Sequence, residues 1–258
     1  MAFFDLLSPL FLGIDNFLEP FTSDFVRIAL WAFISALVTS LVFKKLSNPD
    51  KISALKVTLK AKQKELNDHD GEFSELKGLA LETMKLSIKR MGLTFLPAML
   101  ASIPIIFVLT HLSNNYGLEH PQVGKNLPIS VTWEDKNQIS KIIIKTNSNE
   151  KIVDNIDSIT WPKATETIEL LESNNLSIVK FPLEISGIIH KKQWWNSLIG
   201  NPAGYINDES QVNRIEFRFE PKKIINIGPS WMHGWLFVFF FLTFAFSIVF
   251  LFIFKIKF

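Results

Sequence analysis

Apolar and polar positions follow three different rhythms along this chain. Residues 25–43, 93–112 and 235–254 are nearly unbroken apolar runs. At ~1.5 Å per residue, each is long enough as a helix to cross a hydrocarbon core of roughly 30 Å. Arg27 interrupts the first run, and His111 is the sole titratable group of the second. Between these two runs the rhythm changes to heptads. Ile52, Leu55, Leu59 and Leu66 recur at coiled-coil spacing, with Lys62 at the remaining seam position. Phe73, Leu76, Ala80, Met84, Ser87 and Met91 form a second stripe. Asn48-Pro49-Asp50 carries the signals of a helix start, and residues 67–71 those of a turn. The pattern predicts an antiparallel helical hairpin. Leu79, Leu81, Leu86 and Ile88 fall off its seam, leaving the second helix with apolar surface to offer another segment.

The two flanks differ again. In residues 2–21, Phe3, Leu6, Leu10, Ile14, Phe17 and Phe21 share one helical face, while Asp5, Ser8, Asp15 and Glu19 share the other. This predicts an interfacial helix, shortened or broken by Pro9 and Pro20, lying on the membrane surface. Packing of that helix on the large middle segment is the alternative. Residues 113–230 turn to short alternating and β-branched runs, predicting strands at 129–133, 139–145, 178–181, 184–189, 214–220 and 223–227. One short helix is expected at 164–172 and a tight turn at 201–204, while Trp231, His233 and Trp235 mark re-entry into the membrane.

Charge orients these elements. Lys44 and Lys45 follow the first run, Lys89 and Arg90 precede the second, and Lys255 and Lys257 follow the third. Basic residues beside a span favour the cytoplasmic side. The expected fold is therefore an α-helical membrane protein with three transmembrane helices, a cytoplasmic antiparallel coiled-coil hairpin and a β-rich extracytoplasmic domain. Its expected parts are an outer amphipathic helix (1–24), span one (25–43), the hairpin (44–92), span two (93–112), the outer domain (113–230), and span three with a cytoplasmic C-terminus (231–258). The 24 Phe against 2 Tyr suit lipid better than a wet surface. With no cysteine, the outer domain has no disulfide and no thiolate site. No cleavable signal is expected, because the first residues lack a basic region.

Candidate chemistry is sparse. The five histidines are scattered, with no metal-ligand spacing, Gly-rich phosphate loop or nucleophile elbow, so no enzyme, metal or nucleic-acid partner is expected. Trp194-Trp195 beside Lys191-Lys192 is expected to place one tryptophan in a core, with ligand binding or contact with the bilayer as the alternatives. Arg27 is expected to snorkel toward the headgroups. Hydroxyls gather at or below the middle of the spans on the cytoplasmic side. Ser35, Thr39, Ser40, Thr94, Ser102, Thr243 and Ser247 are each explicable as helix packing, yet together they could line a wet slot. Pro97 and Pro104 free backbone carbonyls in span two.

The passage LKVTLKAKQKEL…EFSELKGLALETMKLSIKRMGLTFLPAMLASIPIIF, together with IGPSWMHGWLFVFF at the third span, resembles the Oxa/YidC-type membrane insertase superfamily. The likeness is to its small three-span branch, which includes archaeal insertase-like proteins and the third subunit of the ER membrane complex. It covers about residues 15–112 and 226–258. The resemblance implies an insertase or chaperone that guides client segments through a polar, cytoplasm-open groove, with no cofactor. Its groove candidates are Arg27 and the seven hydroxyl residues above, and its client-capturing hairpin positions are Leu76, Leu79, Met84, Ile88 and Met91. Implied partners are newly made membrane proteins, the lipid bilayer and other membrane subunits, in a bacterial inner membrane. The chain departs from the family in its large outer domain and in lacking a basic residue mid-membrane, where only Arg27 or Lys44/Lys45 could serve. The competing expectation is a structural or sensory membrane subunit whose outer domain binds a ligand or partner.

Overall fold

Polar hairpin and apolar span share one helix in the computed structural model, which describes residues 2–134, 142–145, 150–153, 156–161, 167–172, 177–182 and 187–255. A 3-10 turn, Phe3–Asp5, precedes α1 (Ser8–Leu18), with Pro9 in the first turn where its missing N–H costs nothing. The other helices are α2 (Asp24–Leu46), α3 (Pro49–Asn67), α4 (Phe73–Tyr116) and α5 (Trp235–Ile253). At 44 residues, α4 extends ~66 Å. It continues through Pro97 and Pro104, which cannot donate to the carbonyls of Leu93 and Leu100. Three helices, α2, α4 and α5, are long and apolar enough to cross a membrane. The chain divides into a helical unit, Ile28–Val108 with Phe239–Phe258, and a mixed unit, Met1–Arg27 with Leu109–Val238.

In the helical unit, Phe33 of α2 meets Phe246 and Phe250 of α5 edge-on, each at 5.4 Å. The expected cap of α3 is present, with Asn48 Oδ1 accepting the Lys51 N–H at 3.1 Å. On α3, Ile52 and Leu59 are buried and Leu55, Lys62 and Leu66 half-buried, matching the expected stripe. The second stripe is different from the heptad expectation. Leu76, Leu79, Leu86, Ser87 and Arg90 are half-buried and Thr83 is buried, whereas Phe73, Ala80, Met84 and Met91 are exposed. A polar pair helps set this register: Lys62 Nζ reaches Glu82 and Glu65 at 3.1 Å each. The hydrogen bonds to Glu82 and Glu65 raise the Lys62 ammonium above its ordinary range.

The mixed unit is built on β1 (Leu118–Glu119), β2 (Asn126–Trp133), β3 (Ile142–Lys145), β4 (Glu150–Val153), β5 (Ile156–Thr160), β6 (Thr167–Glu172), β7 (Ser177–Pro182), β8 (Ile188–Lys191), β9 (Tyr205–Ile206), β10 (Val212–Phe217) and β11 (Glu220–Pro221). They form a five-stranded sheet β5-β2-β10-β8-β9, a four-stranded sheet β4-β3-β6-β7 and a short pair β1-β11. All pairings are antiparallel except β8 with β9. Leu127, Ile129, Ile189, Ile215 and Phe217 of the five-stranded sheet pack with Trp133, Trp161 and Ile178 in the core. Gly187 permits a close crossing: its carbonyl accepts the Phe217 N–H at 2.7 Å, and a Cβ there would sit 2.7 Å from the Phe217 carbonyl oxygen.

Several expectations are corrected. Residues 167–172 form strand β6 rather than part of a helix at 164–172. The Leu/Glu helix preference is overridden because this segment is hydrogen-bonded on both edges, to β3 and β7. Residues 223–227 are not a strand. The Ile224 N–H instead donates to the His233 carbonyl at 2.7 Å, folding this segment back on the 3-10 turn Ser230–Met232. The run expected at 214–220 breaks after Phe217 and resumes as β11. The turn at 201–204 forms as expected, closed by a 2.9 Å bond from Gly204 N–H to Asn201 O, with Gly204 at φ +83°. The expected positions 139–141, 164–166 and 184–186 lie outside the described residues.

Candidate functional site

Hydroxyls from three helices of the helical unit, among them Thr83 of α4, are buried without a hydrogen-bond partner among the described residues. Ser35 and Thr39 are one turn apart on α2, and Thr243 is on α5; their hydroxyl oxygens have no partner among the described residues. A serine or threonine in a helix commonly satisfies itself on the carbonyl one turn back. Thr94 does so, donating to Arg90 O at 3.2 Å, and Ser102 donates to Met99 O at 2.7 Å. Ser35, Thr39 and Thr243 do not. An unsatisfied buried hydroxyl costs on the order of 1–3 kcal/mol, so each of the three calls for water or a polar visitor. Ser40 is buried and Ser247 half-buried, whereas Ser102 is exposed. The seven candidates therefore divide: three carry open hydrogen-bonding capacity inside the unit, and Thr94 and Ser102 are satisfied on their own helix.

Arg27 does not snorkel. It is buried, ion-paired with Asp24, and its guanidinium carbon lies 5.7 Å from the Tyr116 ring centre. Its guanidinium meets a carboxylate and an aromatic face rather than solvent. At the other end of α2, Lys44 Nζ lies 5.5 Å from the Phe254 ring centre.

The second element is a stripe on α4. Leu81, Met84, Ile88, Met91, Phe95 and Met99 follow one another at intervals of three or four residues, and each is between 44 and 65% exposed. Such spacing keeps them on one face of a helix. The stripe starts in the charged hairpin and continues, without a break in the helix, into the apolar stretch. Of the five expected capture positions, Met84, Ile88 and Met91 belong to it. Leu76 and Leu79 do not: they are half-buried on the inner side of the hairpin.

A third cluster, in the mixed unit, was not anticipated as a cluster from the sequence. Asp15 of α1 is buried, and its Oδ2 accepts from Tyr116 Oη at 2.8 Å and sits 2.8 Å from His111 Nε2. Lys222 pairs with Asp24 at 2.7 Å and lies 5.4 Å from the Tyr116 ring centre. The polar face of α1 thus turns inward, and its apolar face outward, with Phe3, Leu6, Leu10, Phe17 and Phe21 all more than half exposed. Asp15 at the centre of the polar face and His111 at the end of an apolar run were the available signals. Nothing in the spacing linked two residues 96 positions apart.

Trp194 and Trp195 both stay out of the core, the first 82% exposed and the second 41%, because the 3-10 turn Trp194–Ser197 carries them along the surface. Trp195 borders a cleft of about 870 Å³ that is also lined by His190, Arg214 and Phe219. No protein-family model, curated protein or solved structure matches the chain.

Proposed function

We propose that this chain is a membrane protein insertase, guiding client transmembrane segments from the cytoplasm into the bilayer. The observation that carries the reading is the exposed α4 stripe, which offers a continuous apolar track from a charged hairpin into a membrane-length segment. Three of its members are methionines, whose unbranched thioethers adapt to apolar partners of different shape. The resemblance of the hairpin and its neighbouring spans to the insertase superfamily supports the same reading, as does the basic charge at the span ends. In this orientation the hairpin is cytoplasmic, pairing as a coiled coil, and the β-rich domain is extracytoplasmic.

The barrier to insertion is the client's polar flank, since unsatisfied or charged groups are costly in hydrocarbon. Ser35, Thr39 and Thr243 supply hydrogen-bonding groups inside the helical unit for such a flank. The client's apolar helix then moves into lipid. Burial of its apolar surface drives that step, so no nucleotide is required.

Photo-reactive residues at Met84 and Met91, in proteoliposomes supplied with a translating client, should crosslink to the client's apolar segment. Replacing Ser35, Thr39 and Thr243 together by leucine should impair polar-flanked clients and leave strongly apolar clients near normal. Folding must be confirmed separately, because leucine also adds volume. Equal impairment of both client types, or of neither, would refute the groove. A second reading, a ligand-binding membrane subunit, is favoured by the cleft beside Trp195. It would gain if insertion survived Met84→Asp with Met91→Asp while Trp195→Ala impaired function in cells.

A further inference from the structure

The N-terminal segment and the loop after β8 enclose a second cavity in the mixed unit, of about 490 Å³. Asp5, Ser8, Asn196 and Lys192 are among its walls. Asp5 Oδ2 accepts the Gly200 N–H at 2.9 Å, which fixes the carboxylate in place. Its Oδ1 is buried and has no hydrogen-bond partner among the described residues, and the Ser8 hydroxyl is in the same condition. The two residues are three apart, and both face the cavity. Lys192 is exposed and makes no ion pair among the described residues. An anionic acceptor and a cation therefore line one cavity without neutralising each other, an arrangement that complements a zwitterion.

The surroundings of the cavity are apolar. The Phe4 N–H donates to Leu198 O at 2.8 Å, tying the N-terminal segment to the loop. Phe3, Leu6, Trp194 and Leu198 are 54%, 63%, 82% and 45% exposed. The Asp15 contacts to His111 and Tyr116 hold α1 against the end of α4, where the apolar run stops. Asn114, just past the end of that run, is one of the walls, so the cavity sits beside the point where the apolar stretch of α4 stops.

We propose that this cavity binds the headgroup of an aminophospholipid of the phosphatidylethanolamine class. The primary ammonium, with three N–H donors, satisfies Asp5 Oδ1 and the Ser8 hydroxyl, while Lys192 meets the phosphate. Phe3, Leu6, Trp194 and Leu198 contact the acyl chains. A choline headgroup has no N–H to donate, and a glycerol headgroup has no cation for Asp5. The proposal is independent of the insertase reading, since it requires only that the chain reside in a membrane.

The full-length protein in detergent, given equimolar phosphatidylethanolamine, phosphatidylcholine and phosphatidylglycerol of identical chains, can be read by native mass spectrometry. Phosphatidylethanolamine should be retained roughly tenfold over either competitor, the ratio expected for one charge-assisted hydrogen bond. Asp5→Asn keeps an acceptor for Gly200 and should abolish the preference. Lys192→Gln should lower retention of all three lipids alike. Ser8→Ala, a milder change, should reduce the preference without unfolding the segment, and it decides the matter should Asp5→Asn fail to fold. Free phosphoethanolamine at lipid concentration should not compete, because it lacks the chains. Equal retention of the three lipids by the unaltered protein would overturn the assignment, as would a preference that survives both Asp5→Asn and Ser8→Ala. Competition by free phosphoethanolamine would overturn its assignment to lipid.

Discussion

Truncating Asp15 to alanine removes both hydrogen bonds that its Oδ2 makes, to His111 Nε2 and to Tyr116 Oη, each at 2.8 Å. Hydrogen bonds to a charged group contribute about 1.5–3 kcal/mol each, so the pair amounts to about 3–6 kcal/mol. His111 is fully buried and Tyr116 nearly so, and water cannot readily replace the lost acceptor. A working figure of about 4 kcal/mol corresponds to roughly a thousandfold loss of amide-exchange protection across α1, bounded by the protection the unaltered helix has. Asparagine is the informative comparison. Both bonds converge on a single oxygen, so the Asn amide oxygen can still accept both. Neutral hydrogen bonds are weaker by about 1 kcal/mol each, giving a loss of about 2 kcal/mol, or some thirtyfold in protection. Hydrogen-exchange mass spectrometry on the protein in nanodiscs resolves the two cases. Full protection in Asp15→Ala would mean that α1 is held by its other contacts, among them Phe11–His111 and the Phe4–Leu198 and Asp5–Gly200 bonds of the preceding turn. Equal losses in the two variants would mean that the carboxylate charge, not its acceptor geometry, secures the helix.

Two further outcomes are expected. Cysteines introduced at Asn67, the last residue of α3, and at the exposed Asn213 should be labelled from opposite sides of the membrane; labelling of both from one side would refute the three-span topology. The Lys62 pairing should stabilise the hairpin at neutral pH and fade as pH rises through its raised folded value. Alkaline melting followed by circular dichroism should therefore show a pH-dependent loss that Lys62→Met lacks, and identical profiles would remove the pairing from the account.

The local features were legible because they depend on near neighbours in the chain. The three apolar helices, the Asn48 cap, the α3 stripe and the Gly204 turn follow from residue spacing, capping chemistry and the freedom of glycine at positive φ. The hydroxyls of Ser35, Thr39 and Thr243 could be named from the sequence, but their lack of partners depends on rotamers and packing that no spacing encodes. The α4 register is a similar case. Heptad counting placed Met84 and Met91 inward, yet Lys62 meets Glu82 and Thr83 is buried, and together these turn the methionines outward. Residues 167–172 have helix-favouring composition and became a strand because β3 and β7 pair with both of their edges. The amphipathic pattern of α1 was visible, but not which face would be covered. That choice belonged to His111 and Tyr116, about a hundred residues away, whose hydrogen bonds draw Asp15 inward and leave the apolar face outside. Short-range periodicity determined which segments became helices and could cross a membrane; contacts across long sequence separations decided which faces they cover and which groups stay open for a partner.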